Sequence, residues 1–125
     1  MQTKNKKFRI WEKRVHMGAF DFTVIGIRGE YKKSLEFVKW KFDVETDFES
    51  LDNGYIPRGK CFFLKGYIPI VWIPCKPKTS REHATLAHEC LHAVFHLFEW
   101  ANLPLTRDTE EVMAHSMSHL ITELS

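Results

Sequence analysis

Cysteine is scarce in this chain and never paired in sequence. Cys61, Cys75 and Cys90 are the three, and no two stand in a CxxC spacing. Their odd number and scattered spacing fit reduced thiols in a cytosolic protein rather than a disulfide framework. Each is read as a small buried hydrophobe. Long apolar runs are also missing. None approaches the roughly 20 residues that span a bilayer. The opening "MQTKNKKFRIW" is basic but leads into no apolar core, so no secretory leader is expected. Charge of one sign is equally scarce. The formal net charge is +2, and "KNKKFR" (4–9) is the one local bias. Such runs are usually solvated termini, so a nucleic-acid or anionic partner is not expected. Internal repeats and low-complexity segments are absent. The expectation is a cytoplasmic protein with no membrane partner.

What remains is a globular composition. The chain has 125 residues, 44% of them hydrophobic, with ten Phe and four Trp. That length suits one domain with one core, residues 1–125, with 1–10 as a flexible basic tail. "AFDFTVIGI" (19–27) is rich in Phe, Val and Ile and reads as a strand. In "EYKKSLEFVKWKFDVE" (30–45), Tyr31, Leu35, Val38 and Phe42 recur at helical spacing, which favours a helix over the shorter alternation of Trp40, Phe42 and Val44. Residues 45–59 carry Asp-Asn-Gly and a Pro and read as a loop. "KCFFLKGYIPIVWIP" (60–74) reads as a hairpin turning at Lys65-Gly66. Pro69 lacks an N–H, so it places that strand, or that side of it, at an edge. Two helices follow, about 81–98 and about 108–124, separated by Pro104. Thr79 or Ser80 can cap the first of them, and Thr106 or Asp108 the second.

The chemistry concentrates in "LAHECLHAVFHLFEW" (86–100). Each helical residue turns about 100°, so with His88 at zero His92 lies near 40° and Glu89 near 100°. The apolar Leu86, Ala87, Cys90, Leu91, Val94, Leu97 and Phe98 fall between roughly 160° and 300°. One side is for the core; the other carries His88, Glu89, His92 and His96. Two imidazoles one turn apart on a rigid helix are preorganised metal ligands, and Zn²⁺ takes imidazole nitrogen readily. The glutamate between them is turned off the ligand direction and can act as a base toward water on the metal. His-Glu-x-x-His on a helix is the zincin signature. The plainer reading is a polar face of a surface helix. His96 is read as a surface histidine, and Cys90 as a core residue rather than a ligand.

A catalytic zinc site needs a third protein ligand. A third histidine in HExxHxxGxxH is excluded, because Phe95 and Phe98 occupy those Gly and His positions. "TRDTEEVMAHSMSHLITEL" (106–124) offers Glu110 and Glu111. Glu110 lies in line with the apolar stripe of the helix and Glu111 at its flank, beside Ala114, His115 and Ser118, which makes Glu111 the more sensible ligand. Favourable placement at a helix N-terminus alone accounts for at least one of the two. His115 and His119, one turn apart, lack a nearby carboxylate or thiol of their own and are not read as a separate metal pair.

"HECLH" followed by "EVMAH" at 111–115 resembles the gluzincin arrangement, HExxH and then a helix bearing Glu-x-x-Ala-(Asp/Asn). The chain is similar in this to the ImmA/IrrE-like metallopeptidases. The wider pattern over about 30–124 resembles small phage-encoded zinc-peptidase-like proteins. The resemblance implies an α+β fold of minimal zincin type, with a small antiparallel or mixed sheet packed on the active-site helix and a C-terminal glutamate helix, the strand near 67–73 beside the former. It implies that His88, His92 and Glu111 bind Zn²⁺ and that Glu89 is the base. His115 stands where such families often hold Asp or Asn, a position that commonly orients a ligand imidazole, so it is a candidate to bind, orient or stabilise an oxyanion. His119, Tyr55 and Tyr67 are further oxyanion candidates. The function expected is a zinc-dependent peptidase that hydrolyses a peptide or protein substrate through a zinc-activated water. The alternative is a catalytically silent zinc-binding interaction module, for example a phage protein that binds a host factor.

Overall fold

A computed structural model describes residues 2–5, 8–18, 20–43, 56–64 and 68–125. Two strands in it are apolar on both faces, and they set the architecture. β3 (Thr23–Arg28) and β5 (Ile68–Ile73) run as nearly continuous Val, Ile and Trp, the pattern of strands covered on both sides. They pair in parallel, Ile25 with Ile70 through Arg28 with Ile73. β2 (Ile10–His16) pairs antiparallel with β3, β1 (Gln2–Asn5) antiparallel with β2, and β4 (Lys60–Leu64) antiparallel with β5. The result is a mixed five-stranded sheet in the order β1-β2-β3-β5-β4.

Successive side chains leave opposite faces of a strand, so this sheet needs two covers. On one face Ile25, Ile27, Ile70 and Trp72 meet Tyr31, Phe37 and Val38 of α1 (Tyr31–Phe42). On the other face Val24, Val71 and Ile73 meet Leu86, Cys90, Val94 and Leu97 of α2 (Ser80–Trp100), together with Leu120 and Leu124 of α3 (Glu110–Leu124). A short 3₁₀ turn, Arg107–Thr109, leads into α3. The fold is α+β, as expected, and no helix of the described residues is long and apolar enough to cross a membrane.

Helix α2 starts where the sequence suggests, through a capping box. Thr79 Oγ1 accepts from Glu82 N at 3.1 Å, and Glu82 Oε1 accepts from Thr79 N at 3.0 Å. Those bonds, together with one from Lys78 N and one from the Cys75 thiol, hold the Glu82 carboxyl down at about 2. α1 matches the expected helix within its span, and Glu30 caps it by accepting from Lys32 N and Lys33 N.

Three expectations change. Residues 2–5 form an edge strand on β2 rather than part of a tail. The strand expected at 19–27 begins at Thr23, after a turn in which Met17 N donates to Phe22 O at 3.0 Å. β5 lies between β3 and β4, so it is interior. Pro69 is tolerated because it faces Phe63 of β4 while the ladder to β3 runs only from Ile70 to Ile73. The turn expected at Lys65-Gly66 and most of the 45–59 loop lie outside the described residues.

Candidate metal centre

The mid-section of α2 carries the site. His88 and His92 stand exposed on the outer face, one turn apart, with ring centroids 4.9 Å apart and planes at 79°. Their Nε2 atoms converge to 3.2 Å. Two nitrogens bound at about 2.0–2.1 Å in a tetrahedral shell would sit roughly 3.3–3.4 Å apart. The pair is therefore already at the bite a tetrahedral cation requires. A carboxylate oxygen of Glu89 completes a group in which all three ligand atoms lie within 4.8 Å of one another. His88, Glu89 and His92 together could hold a metal ion.

Glu89 differs from its neighbours in burial. It is 8% exposed, turned toward β4. The sequence alone does not show why it fits there; Gly59, just before β4, supplies the reason. A Cβ at Gly59 would stand 3.2 Å from Glu89 Cγ and 2.6 Å from Thr85 Cγ2. The missing side chain lets this segment close over α2 and cover the carboxylate. Burial pushes the Glu89 carboxyl above its ordinary value, against the opposing pull of His88, His92 and Lys60. Gly59→Ala should overpack this contact and cost about 1–3 kcal/mol of stability. Denaturant unfolding should show much of that loss recovered by adding Thr85→Ser, which removes Cγ2. Equal stability of wild type and Gly59→Ala would reject the close approach.

The cysteines keep out of the site. Burial, with Glu89 nearby, pushes the Cys90 thiol up to about 12, and the Cys61 thiol is also raised, first by burial. Neither is a ready thiolate ligand. His96 packs its ring 4.3 Å from that of Phe63 on β4 and is not in the metal group.

Glu111 is not brought to the pair. Its side chain is 85% exposed, and its Oε2 lies 3.5 Å from Nε2 of His115, the i,i+4 neighbour. The reason is register. Leu124 at the end of α3 packs over Gly26 and shares one core cluster with Leu86 of α2. At 1.5 Å per residue, Glu111 sits about 20 Å along α3 from that level, whereas His92 is only about 9 Å along α2. Glu110 is likewise exposed on the first turn. His119 Nε2 donates to the His16 carbonyl at 2.9 Å and is not in the metal group. Tyr55 and Tyr67 lie outside the described residues.

The HExxH-like group on an α+β scaffold thus defines a candidate metal-binding protein. Compared with known proteins, the chain matches no family model, no curated protein and no solved structure.

Proposed function

We infer that the chain is a zinc-dependent hydrolase of peptide bonds, with His88 and His92 as metal ligands and Glu89 as the general base. The convergence of the two Nε2 atoms to 3.2 Å beside a buried glutamate is the observation that carries this reading. When bound, the cation supplies Lewis acidity, polarising a carbonyl and lowering the pKa of water from about 15.7 toward about 7. The chain's own residues supply the rest. The histidines present fixed nitrogen lone pairs from a helix anchored in the core by Leu86, Cys90, Val94 and Leu97. Glu89 accepts a proton at its carboxylate oxygen and returns it to the leaving amine. A carboxyl raised by burial suits that exchange, because a base works best when its pKa approaches the operating pH.

The likeness of "EVMAH" to the gluzincin helix points to Glu111 as the third protein ligand, but in the structure its carboxylate faces His115, so this reading rests on His88 and His92 for the metal. That same exposure favours the second reading, a zinc-binding interaction module without turnover. A mixed peptide library incubated with the zinc-loaded protein separates the two. The hydrolase reading expects new termini, detected by mass spectrometry, that disappear with a chelator and return with added zinc. Intact peptides in the zinc-loaded sample reject it.

A further inference from the structure

Beside the metal group lies an open cleft of about 650 Å³, large enough for several residues of a ligand. Its walls are the segment 56–59 on one side and the first half of α2 on the other. Arg81, Ala84, Thr85 and His88 follow one another at helical spacing along that second wall, so the cleft runs from Arg81 to His88. Arg58 stands on the opposite wall, and Glu89 closes the far end together with His88. Both arginines thus line one cleft, together with the small or apolar Ile56, Pro57, Gly59 and Ala84.

Among the described residues neither arginine has an ion-pair partner. The ion pairs of the described residues join Lys13 to Glu123, Lys41 to Glu12 and His115 to Glu111. Glu82, the nearest acid along the helix, spends its two oxygens on Lys78 N, Thr79 N and the Cys75 thiol. Arg81 also sits in the first turn of α2, where a cation opposes the helix dipole. Its position there gains nothing for the helix itself.

We propose that this cleft binds a carboxylate of the substrate, a side chain's or the C-terminus's, through Arg58 and Arg81. The proposal rests on the peptide-hydrolase reading of the metal group for the word substrate. Arg81 and His88 are separated by about 10 Å along the helix, which is about three residues of extended peptide. The carboxylate therefore belongs about three residues from the bond held at His88 and Glu89. Both an acidic side chain and a free C-terminus offer the same group at that distance. Two guanidinium groups match a carboxylate through directed, charge-assisted hydrogen bonds, and lysine-rich or neutral peptides gain nothing from them.

The test uses fluorescein-labelled ten-residue peptides of Ala, Ser and Gly with one central Glu, Gln or Lys, each made with a free and an amidated C-terminus. Binding to the full chain is read by fluorescence anisotropy at low salt, with chelator present so that nothing is cleaved. The Glu peptide, the free-acid peptides, or both should bind about tenfold more tightly than the amidated Gln peptide. The preference should weaken as salt is raised. It should also fall in Arg58→Gln and Arg81→Gln, both exposed positions, with melting curves unchanged. A preference that follows the central residue assigns a side-chain carboxylate; one that follows the terminus assigns the terminal group. Equal binding of all peptides, no binding of any, or a preference that survives both arginine variants overturns the proposal. Cleavage is scored separately with zinc. Selective binding without cleavage keeps the carboxylate site and sinks the hydrolase reading, whereas cleavage without any charge preference sinks only the carboxylate site.

Discussion

Glu89→Gln should retain zinc and lose peptide cleavage. The amide has nearly the shape of the carboxyl group, so the covered position beside Gly59 and Thr85 still accepts it. It cannot take a proton, and removing a general base typically lowers turnover by about 10²- to 10⁴-fold. Stability supplies a second readout with a fixed sign. Burial raises the folded-state pKa of Glu89 above its ordinary value of 4.5, so the charged form is disfavoured on folding. The folded state then holds more protons than the unfolded state between those two values. Stability therefore falls as pH rises through that window, and the penalty is complete above the folded value. A neutral Gln removes it. The variant should be at least as stable as wild type at neutral pH, and the difference should vanish below the unfolded value. Cleavage that survives the substitution would remove Glu89 from the chemistry. Zinc lost along with cleavage would make it a ligand instead.

Trp72→Ala should come close to unfolding the protein. Trp72 is 1% exposed and sits on interior strand β5, on the face opposite the metal group. Its ring lies 4.8 Å from that of Tyr31, and its Nε1 donates to Gly29 O and Ser34 Oγ, both at 3.1 Å. One side chain thus ties the sheet to α1 through packing and through polar contacts. Truncating a buried Trp to Ala costs about 3–5 kcal/mol, against a total of about 5–15 kcal/mol for a domain of this kind. Trp72→Phe keeps most of the apolar volume and loses the N–H. Ser34 Oγ still donates to Glu30 O at 2.7 Å, so the cost of the missing bond should be about 1–2 kcal/mol. Denaturant midpoints should rank wild type, Phe, then Ala, with zinc uptake of the Phe variant unchanged. A loss under about 1 kcal/mol for Ala would contradict the described core.

The site was legible where one helix contains it. His88, Glu89 and His92 share a face by rotation about a single axis, and a helix carries that arithmetic with no help from the rest of the chain. The capping box at Thr79 and Glu82 is local in the same way. β2 was hidden for a physical reason. Its inward positions include Glu12, joined to Lys41 of α1, and Lys13, whose Nζ donates to Glu123 of α3 at 2.6 Å. Each charge is met by a helix on its own face of the sheet, so the strand has no clean apolar alternation to read. The parallel pairing of β3 with β5 depends on where the connection through α1 and β4 returns, which no short pattern encodes. Gly59 and the two arginines take their roles from the packing of the 56–59 segment against α2, a contact distant in sequence. Glu111 illustrates the opposite limit. Its motif spacing matches the resemblance, but the register of α3 on α2 decides whether a carboxylate on the next helix reaches the histidines, and in the structure it meets His115.

The most direct measurement is a zinc titration of the purified full chain against a chromophoric chelator, with wild type, His88→Ala and His92→Ala compared at equal foldedness by circular dichroism. Both histidines are exposed, so their loss should leave the fold intact. Wild type should take up about one equivalent of zinc and each variant should lose it, because a tetrahedral cation held by imidazole nitrogens does not survive removal of one of the pair. Folded wild-type protein that takes up no zinc, or variants that bind it as tightly as wild type, would contradict the account.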